Sequence, residues 1–101
     1  HAMPKEPCVY IIASGRRGYV YIGVTSNLAQ RIYQHKNGMI DGYAKRRNCK
    51  LLVRYEMFGD MEHAITREKQ LKNWHRQWKF NLVESENPDW RDLAPDIGLS
   101  E

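Results

Sequence analysis

Five side chains of this 101-residue chain could do chemistry together: Tyr10, Tyr21, Arg31, His35 and Glu68. The stretch YVYIGVTSNLAQRIYQHK, residues 19–36, holds three of them. Arg31 and His35 stand one helical turn apart and point the same way, and Leu28, three before Arg31, sets them beside the core-facing edge of their helix. Glu68 comes four after Ala64, three after Ile65 and three before Leu71, so its carboxylate falls inside an apolar stripe. An unpaired buried carboxylate is expensive, and Glu68 therefore needs a cation: an arginine, a lysine or a metal. Singly, each residue has an ordinary explanation: a packed strand tyrosine with a satisfied hydroxyl, a solvated helix face, a structural ion pair. Jointly they bring two phenols, a guanidinium, an imidazole and one carboxylate toward one sheet surface.

The elements that must position them follow from the pattern. CVYIIA, residues 8–13, reads as a strand, SGRRG, 14–18, as a glycine-flanked basic turn, and residues 19–24 as the returning strand of a hairpin. Tyr10 then shares a face with Ile12, and Tyr19, Tyr21 and Gly23 share a face of the second strand. Thr25, Ser26 or Asn27 can cap the following helix, and Gly38 is its stop. Residues 39–49 read as a loop or frayed turn, 50–58 as a third strand, and Gly59 breaks it. Asp60 caps a helix that runs to about Trp74 with Met61, Ala64, Ile65 and Leu71 on one stripe. HRQWKFNLVES continues as a further helix, and Trp90 and Leu93 fold the tail back. The order is β-β-α-β-α-α: a small α/β (α+β) domain on a three-stranded, mainly antiparallel sheet. Residues 4–95 form this single domain and 96–101 a loose tail, while His1-Ala2 before Met3 reads as the remnant of an expression tag.

A net charge of +4 and a pI near 9.2 favour a polyanionic partner. Arg16 and Arg17 in the hairpin turn, and Lys45, Arg46, Arg47 and Lys50 before the third strand, are the clusters that can neutralise phosphates. Cys8 and Cys49 stand alone, without zinc-site spacing, and read as two buried thiols of a reducing cytoplasm. No apolar run approaches membrane-spanning length, and no signal peptide is visible.

The pair CVY (residues 8–10) and YIG (21–23) resembles the paired motif of the GIY-YIG endonuclease superfamily. TSNLAQRIYQHK resembles that family's helix, in which an arginine follows the YIG glycine by eight, as Arg31 follows Gly23. REKQLK around Glu68 resembles the family's metal-binding helix. The likeness runs from about Pro7 to about Leu93 and is greatest to the small standalone bacterial members. It departs at Cys8, where the family name has glycine, and at Val24, where many relatives carry a lysine that contacts phosphate or stabilises a phenolate. What that lysine contributes must be absent here or supplied elsewhere, as by His35 or Lys36.

The resemblance implies hydrolysis of a DNA phosphodiester with one divalent metal, Mg²⁺ or Mn²⁺, held by Glu68 as its only protein carboxylate. Arg31 would hold the nonbridging oxygens, which its planar fork matches. Tyr10, or Tyr21 assisted by His35, would take the proton from the attacking water. A phenol is only about 0.1% ionised at pH 7, a handicap of roughly 4 kcal/mol, which Arg31, the metal and a protonated His35 would reduce. Asn81 would help to hold the site. DNA would bind mainly through phosphates, with specificity coming from substrate shape or from a partner protein. A non-catalytic nucleic-acid-binding module on the same scaffold is the alternative, and a protein-interaction domain using exposed tryptophans is a second.

Overall fold

The structure is a computed structural model and describes residues 6–99. Its elements are β1 (Cys8–Ala13), β2 (Val20–Thr25), α1 (Leu28–Lys36), the one-turn α2 (Tyr43–Arg46), β3 (Leu51–Met57), α3 (Met61–Lys72) and α4 (Arg76–Glu86), followed by a 3-10 turn, Ala94–Ile97. The sheet order is β2-β1-β3 with both pairs antiparallel, which agrees with the expected hairpin and three-stranded, mainly antiparallel sheet and adds the placement and direction of β3.

All six residues of β1 are buried, which is why CVYIIA is apolar throughout instead of alternating. Its two faces serve different cores. Cys8, Tyr10 and Ile12 pack with Leu28 and Ile32 of α1 and with Ala94 and Ile97. Val9, Ile11 and Ala13 pack with Ala64 and Leu71 of α3, Phe80 and Val83 of α4, and Trp90. The domain is thus three layers deep, with the sheet in the middle.

Asn27 caps α1 by accepting from the Gln30 N–H, and Asp60 caps α3 by accepting from the His63 N–H. α1 ends at Lys36, just before Gly38, whose φ of +65° is the left-handed conformation a stop requires. Three expectations need correction. Residues 43–46 form a turn of helix inside the expected loop, and Tyr43 projects from it at 39% exposure. α3 stops at Lys72, and its stripe is narrower than predicted because Ile65 is exposed. The tail is packed as far as it is described, with Ile97 buried and Leu99 against the core. The expected tag remnant and residues 100–101 lie outside the described residues.

The β3 ladder skips one residue: Ile11 faces Arg54 and Ile12 faces Leu52, leaving Val53 without a partner. The bulge keeps Leu52 and Tyr55 on the α1 side while Val53 and Glu56 serve the α3 side. Asp92 ties the tail down by accepting from the Leu52 and Ala94 N–H groups and from the Lys36 ammonium.

Candidate active site

Tyr10 lies on the central strand at 0% exposure. Its backbone partner across the ladder is Gly23, and the phenol lies directly over that glycine. A Cβ on Gly23 would come within 2.3 Å of the Tyr10 hydroxyl and 2.4 Å of the ring, so only glycine admits the phenol there. The hydroxyl sits 2.9 Å from His35 Nε2 and accepts from Arg31 Nη1 at 3.4 Å. Arg31 can only donate, so the enclosed Tyr10 O–H has His35 Nε2 as its acceptor, which fixes the imidazole tautomer.

Burial decides the protonation of this pair. It pushes the Tyr10 phenol up to about 12, with the Arg31 guanidinium pulling the other way and losing. It pushes His35 down to about 4, and the Arg31 charge adds to the shift. Both groups are therefore neutral at pH 7, and the expected protonated His35 is corrected by its 6% exposure beside a cation.

Tyr21, half-buried on β2, faces the same imidazole with ring centroids 5.7 Å apart, and its ring lies 6.5 Å from that of Tyr10. From the other layer, the Lys72 ammonium sits 5.7 Å from the Tyr21 ring centre and 3.0 Å from the Glu68 carboxylate. Arg31, Tyr10, His35, Tyr21, Lys72 and Glu68 thus form one unbroken series of neighbours around the β2 edge, built by β1, β2, α1 and α3.

A family model described as the GIY-YIG catalytic domain matches residues 6–81, three quarters of the chain and every member of this series. The chain belongs to the GIY-YIG family. It is similar to small relatives named UPF0213 proteins. One from Staphylococcus haemolyticus is 36% identical over 76 residues, covering 75% of this chain and 92% of its own. One from Staphylococcus saprophyticus is 35% identical over 75 residues, 74% of this chain and 90% of its own. A third, from Clostridium perfringens, is 32% identical over 80 residues, 79% and 86% of the two chains. No solved structure matches the chain significantly. The GIY-YIG domain places the protein in a nuclease family whose members act on DNA and generally use divalent metals.

Set against that family pattern, the departure at Val24 has a structural answer. Val24 packs among the apolar side chains on the α3 side of the sheet. Lys36, one expected substitute for the family lysine, is tied to Asp92 and to the Lys50 carbonyl. The lysine beside Tyr21 is Lys72, which sequence reasoning missed. Its signal was its place four after Glu68, a spacing usually read as a surface ion pair.

The donor set suits a single-carboxylate ion. Glu68 offers one hard oxygen ligand at 14% side-chain exposure, and among the described residues no three His, Cys, Asp or Glu side chains gather to hold a metal. A divalent ion at Glu68 would keep water and substrate oxygens as its other ligands, the habit of Mg²⁺.

The remaining expected residues fall in different places. Arg16, Arg46, Arg47 and Lys50 are exposed, and Lys45 meets the exposed Asp41 at 3.3 Å. Arg17 is not free for phosphate: its guanidinium forks onto Glu84 at 2.8 and 2.9 Å and braces the hairpin turn against α4. Asn81 is exposed on α4, where it accepts from Gln77 and lines a groove with Trp74 and Trp78, and no hydrogen bond among the described residues links it to the tyrosines. Both cysteines are free and buried, and no described helix is long and apolar enough to cross a membrane.

Proposed function

We propose that the protein is a metal-dependent DNA endonuclease in which Tyr21 takes the proton of the attacking water, Arg31 holds the scissile phosphate and Glu68 carries the ion. The observation that supports this is the continuous series from Arg31 to Glu68 around one sheet edge, in which neutral hydrogen-bonding groups, two cations and one carboxylate meet.

The two tyrosines differ in what they can reach. Tyr10 is enclosed and held near 12, so it stays a phenol and acts as a brace that fixes both Arg31 and His35. Tyr21 is reached by water and its ring lies beside the Lys72 ammonium; as the phenolate it takes one proton from the attacking water and becomes the neutral phenol. Arg31 stays a cation at any working pH and can add a bidentate grip on two phosphate oxygens to its long bond with Tyr10. When bound at Glu68, Mg²⁺ or Mn²⁺ supplies Lewis-acid polarisation of the phosphate and neutralises the departing oxygen.

The test is incubation with supercoiled plasmid and with branched and single-stranded oligonucleotides in Mg²⁺, Mn²⁺ or EDTA. Cleavage is expected to require metal, to vanish in Glu68→Ala, and to fall by about 10²–10³ in Arg31→Ala, the loss typical of a preorganised transition-state donor. Tyr21→Phe should cost more than Tyr10→Phe. Binding in EDTA with no cleavage of any substrate by wild type would make this a non-catalytic binding module instead.

A further inference from the structure

Along the same β2 edge lies a second cluster that the reaction above leaves unused. Tyr19, at 42% exposure, and Tyr43, at 39%, meet edge to face with ring centroids 6.5 Å apart. The Arg47 guanidinium stands 4.4 Å from the Tyr19 ring centre and 5.9 Å from that of Tyr43, and Arg76 reaches Tyr19 from α4 at 5.9 Å. Tyr19, Tyr43, Arg76 and Lys79 line an open cavity of about 150 Å³.

The charges here are one-sided. Among the described residues no carboxylate pairs with Arg47, Arg76 or Lys79. Arg76 donates only to the carbonyls of Arg17 and Gly18, and Lys79 to that of Lys72. Burial and the charge of Lys72 hold the Lys79 ammonium below the ordinary lysine range, a shift that a bound anion would reverse. Two half-exposed phenol rings beside three uncompensated cations fit a ligand with both a flat aromatic group and a negative charge. A nucleotide has both, and stacking on tyrosine together with arginine contacts is how single strands are held.

We propose that this cluster is a subsite for one unpaired nucleotide of the cleaved DNA strand, its base stacked on Tyr43 with the near-perpendicular Tyr19 ring at its edge, and its phosphate among Arg47, Arg76 and Lys79. The inference rests on the nuclease reading for its direction. Tyr19 lies one residue before β2 and two residues from Tyr21, a spacing of about 7 Å along extended chain. A stacked strand rises about 3.4 Å per nucleotide, so the subsite lies about two nucleotides from the scissile phosphate. A base inside an intact duplex cannot offer its face, and the preferred substrate therefore has unpaired bases beside the cut, as in a gap, flap or single strand.

The test is fluorescence anisotropy in EDTA with one sequence presented as intact duplex, as gapped duplex, and as gapped duplex carrying a single abasic site moved along the gap. Gapped DNA should bind tighter than duplex, and one abasic position should remove about fivefold to a hundredfold of that affinity, the range expected for one stacked base. Tyr43→Leu, checked for folding by circular dichroism, should lose the same factor on the intact gap and nothing further at the sensitive abasic position. Arg76→Gln should weaken every DNA and lower the salt slope by about one. Equal losses of Tyr43→Leu on duplex and gapped DNA, or no sensitive abasic position, would overturn the subsite. Metal-dependent cleavage of the same DNAs, absent in Glu68→Ala, reads the nuclease separately. Cleavage without a sensitive base sinks only the subsite, base-dependent binding without cleavage sinks only the nuclease, and no DNA binding overturns both.

Discussion

Two glutamates sit beside the sheet at almost the same enclosure, Glu56 on β3 at 16% side-chain exposure and Glu68 on α3 at 14%. Glu56 is gripped by Arg67 at 2.8 and 3.1 Å and by Arg54 at 2.8 Å, and Arg54 goes on to Glu86. Burial pushes its carboxyl up, yet the bonds and charges of Arg67 and Arg54 together hold it below the ordinary carboxylate range. Among the described residues Glu68 pairs only with the half-exposed Lys72, beside Tyr21. Equal burial therefore hides opposite conditions. A carboxylate whose charge is closed by two guanidiniums is scaffold, whereas one facing a single half-exposed ammonium has oxygen capacity left for a new ligand.

The same substitution at both positions separates them most sharply. Glu68→Gln should lower cleavage at least about a hundredfold while changing stability by no more than about 1 kcal/mol, as expected for a partly exposed pair. Glu56→Gln should do the reverse, costing about 2–3 kcal/mol in urea unfolding because two arginines lose their counter-charge, with cleavage per folded molecule retained. Equal stability losses would erase the distinction.

A smaller effect is expected where the catalytic face is held by shape alone. Gly23→Ala should destabilise the domain by about 1–3 kcal/mol as Tyr10 is driven off the sheet. Cleavage should fall with it, since Arg31 and His35 share that hydroxyl. A neutral alanine would mean that Tyr10 can move without consequence.

The smallest effect concerns pH. His35 is depressed from 6.5 to about 4 in the fold, so the unfolded chain binds more protons in that window and stability falls as pH drops through it. The loss between pH 7 and pH 5 should be about 2 kcal/mol. Urea melts at pH 7, 6 and 5 should show this slope in wild type and a flatter one in His35→Gln. The exposed His63, raised by Asp60, works in the opposite direction and is unchanged by that substitution.

Much of this was legible from local pattern. β1 matches its predicted limits because an apolar run between polar neighbours has one reading, and the caps at Asn27 and Asp60 are local chemistry. Of the chemical set, spacing and the family-like motifs point to Tyr10, Tyr21, Arg31, His35 and Glu68; the structure sets the first four against one another and links Glu68 to Tyr21 through Lys72. What escaped depends on partners distant in sequence. Arg17 reads as a free phosphate ligand until Glu84, 67 residues on, is seen to hold it. The charge of His35 depends on burial under a neighbouring layer. Lys72 reads as solvent-facing until α3 is set against the β2 edge.

The central strand has a consequence for how the molecule comes apart. Because β1 gives one face to each core, loosening either helix layer strips the support from the other, and neither can melt by itself. Amide protons of Tyr10 and Ile11 should exchange only when the whole domain opens. The catalytic face thereby borrows the rigidity of a strand that solvent does not reach.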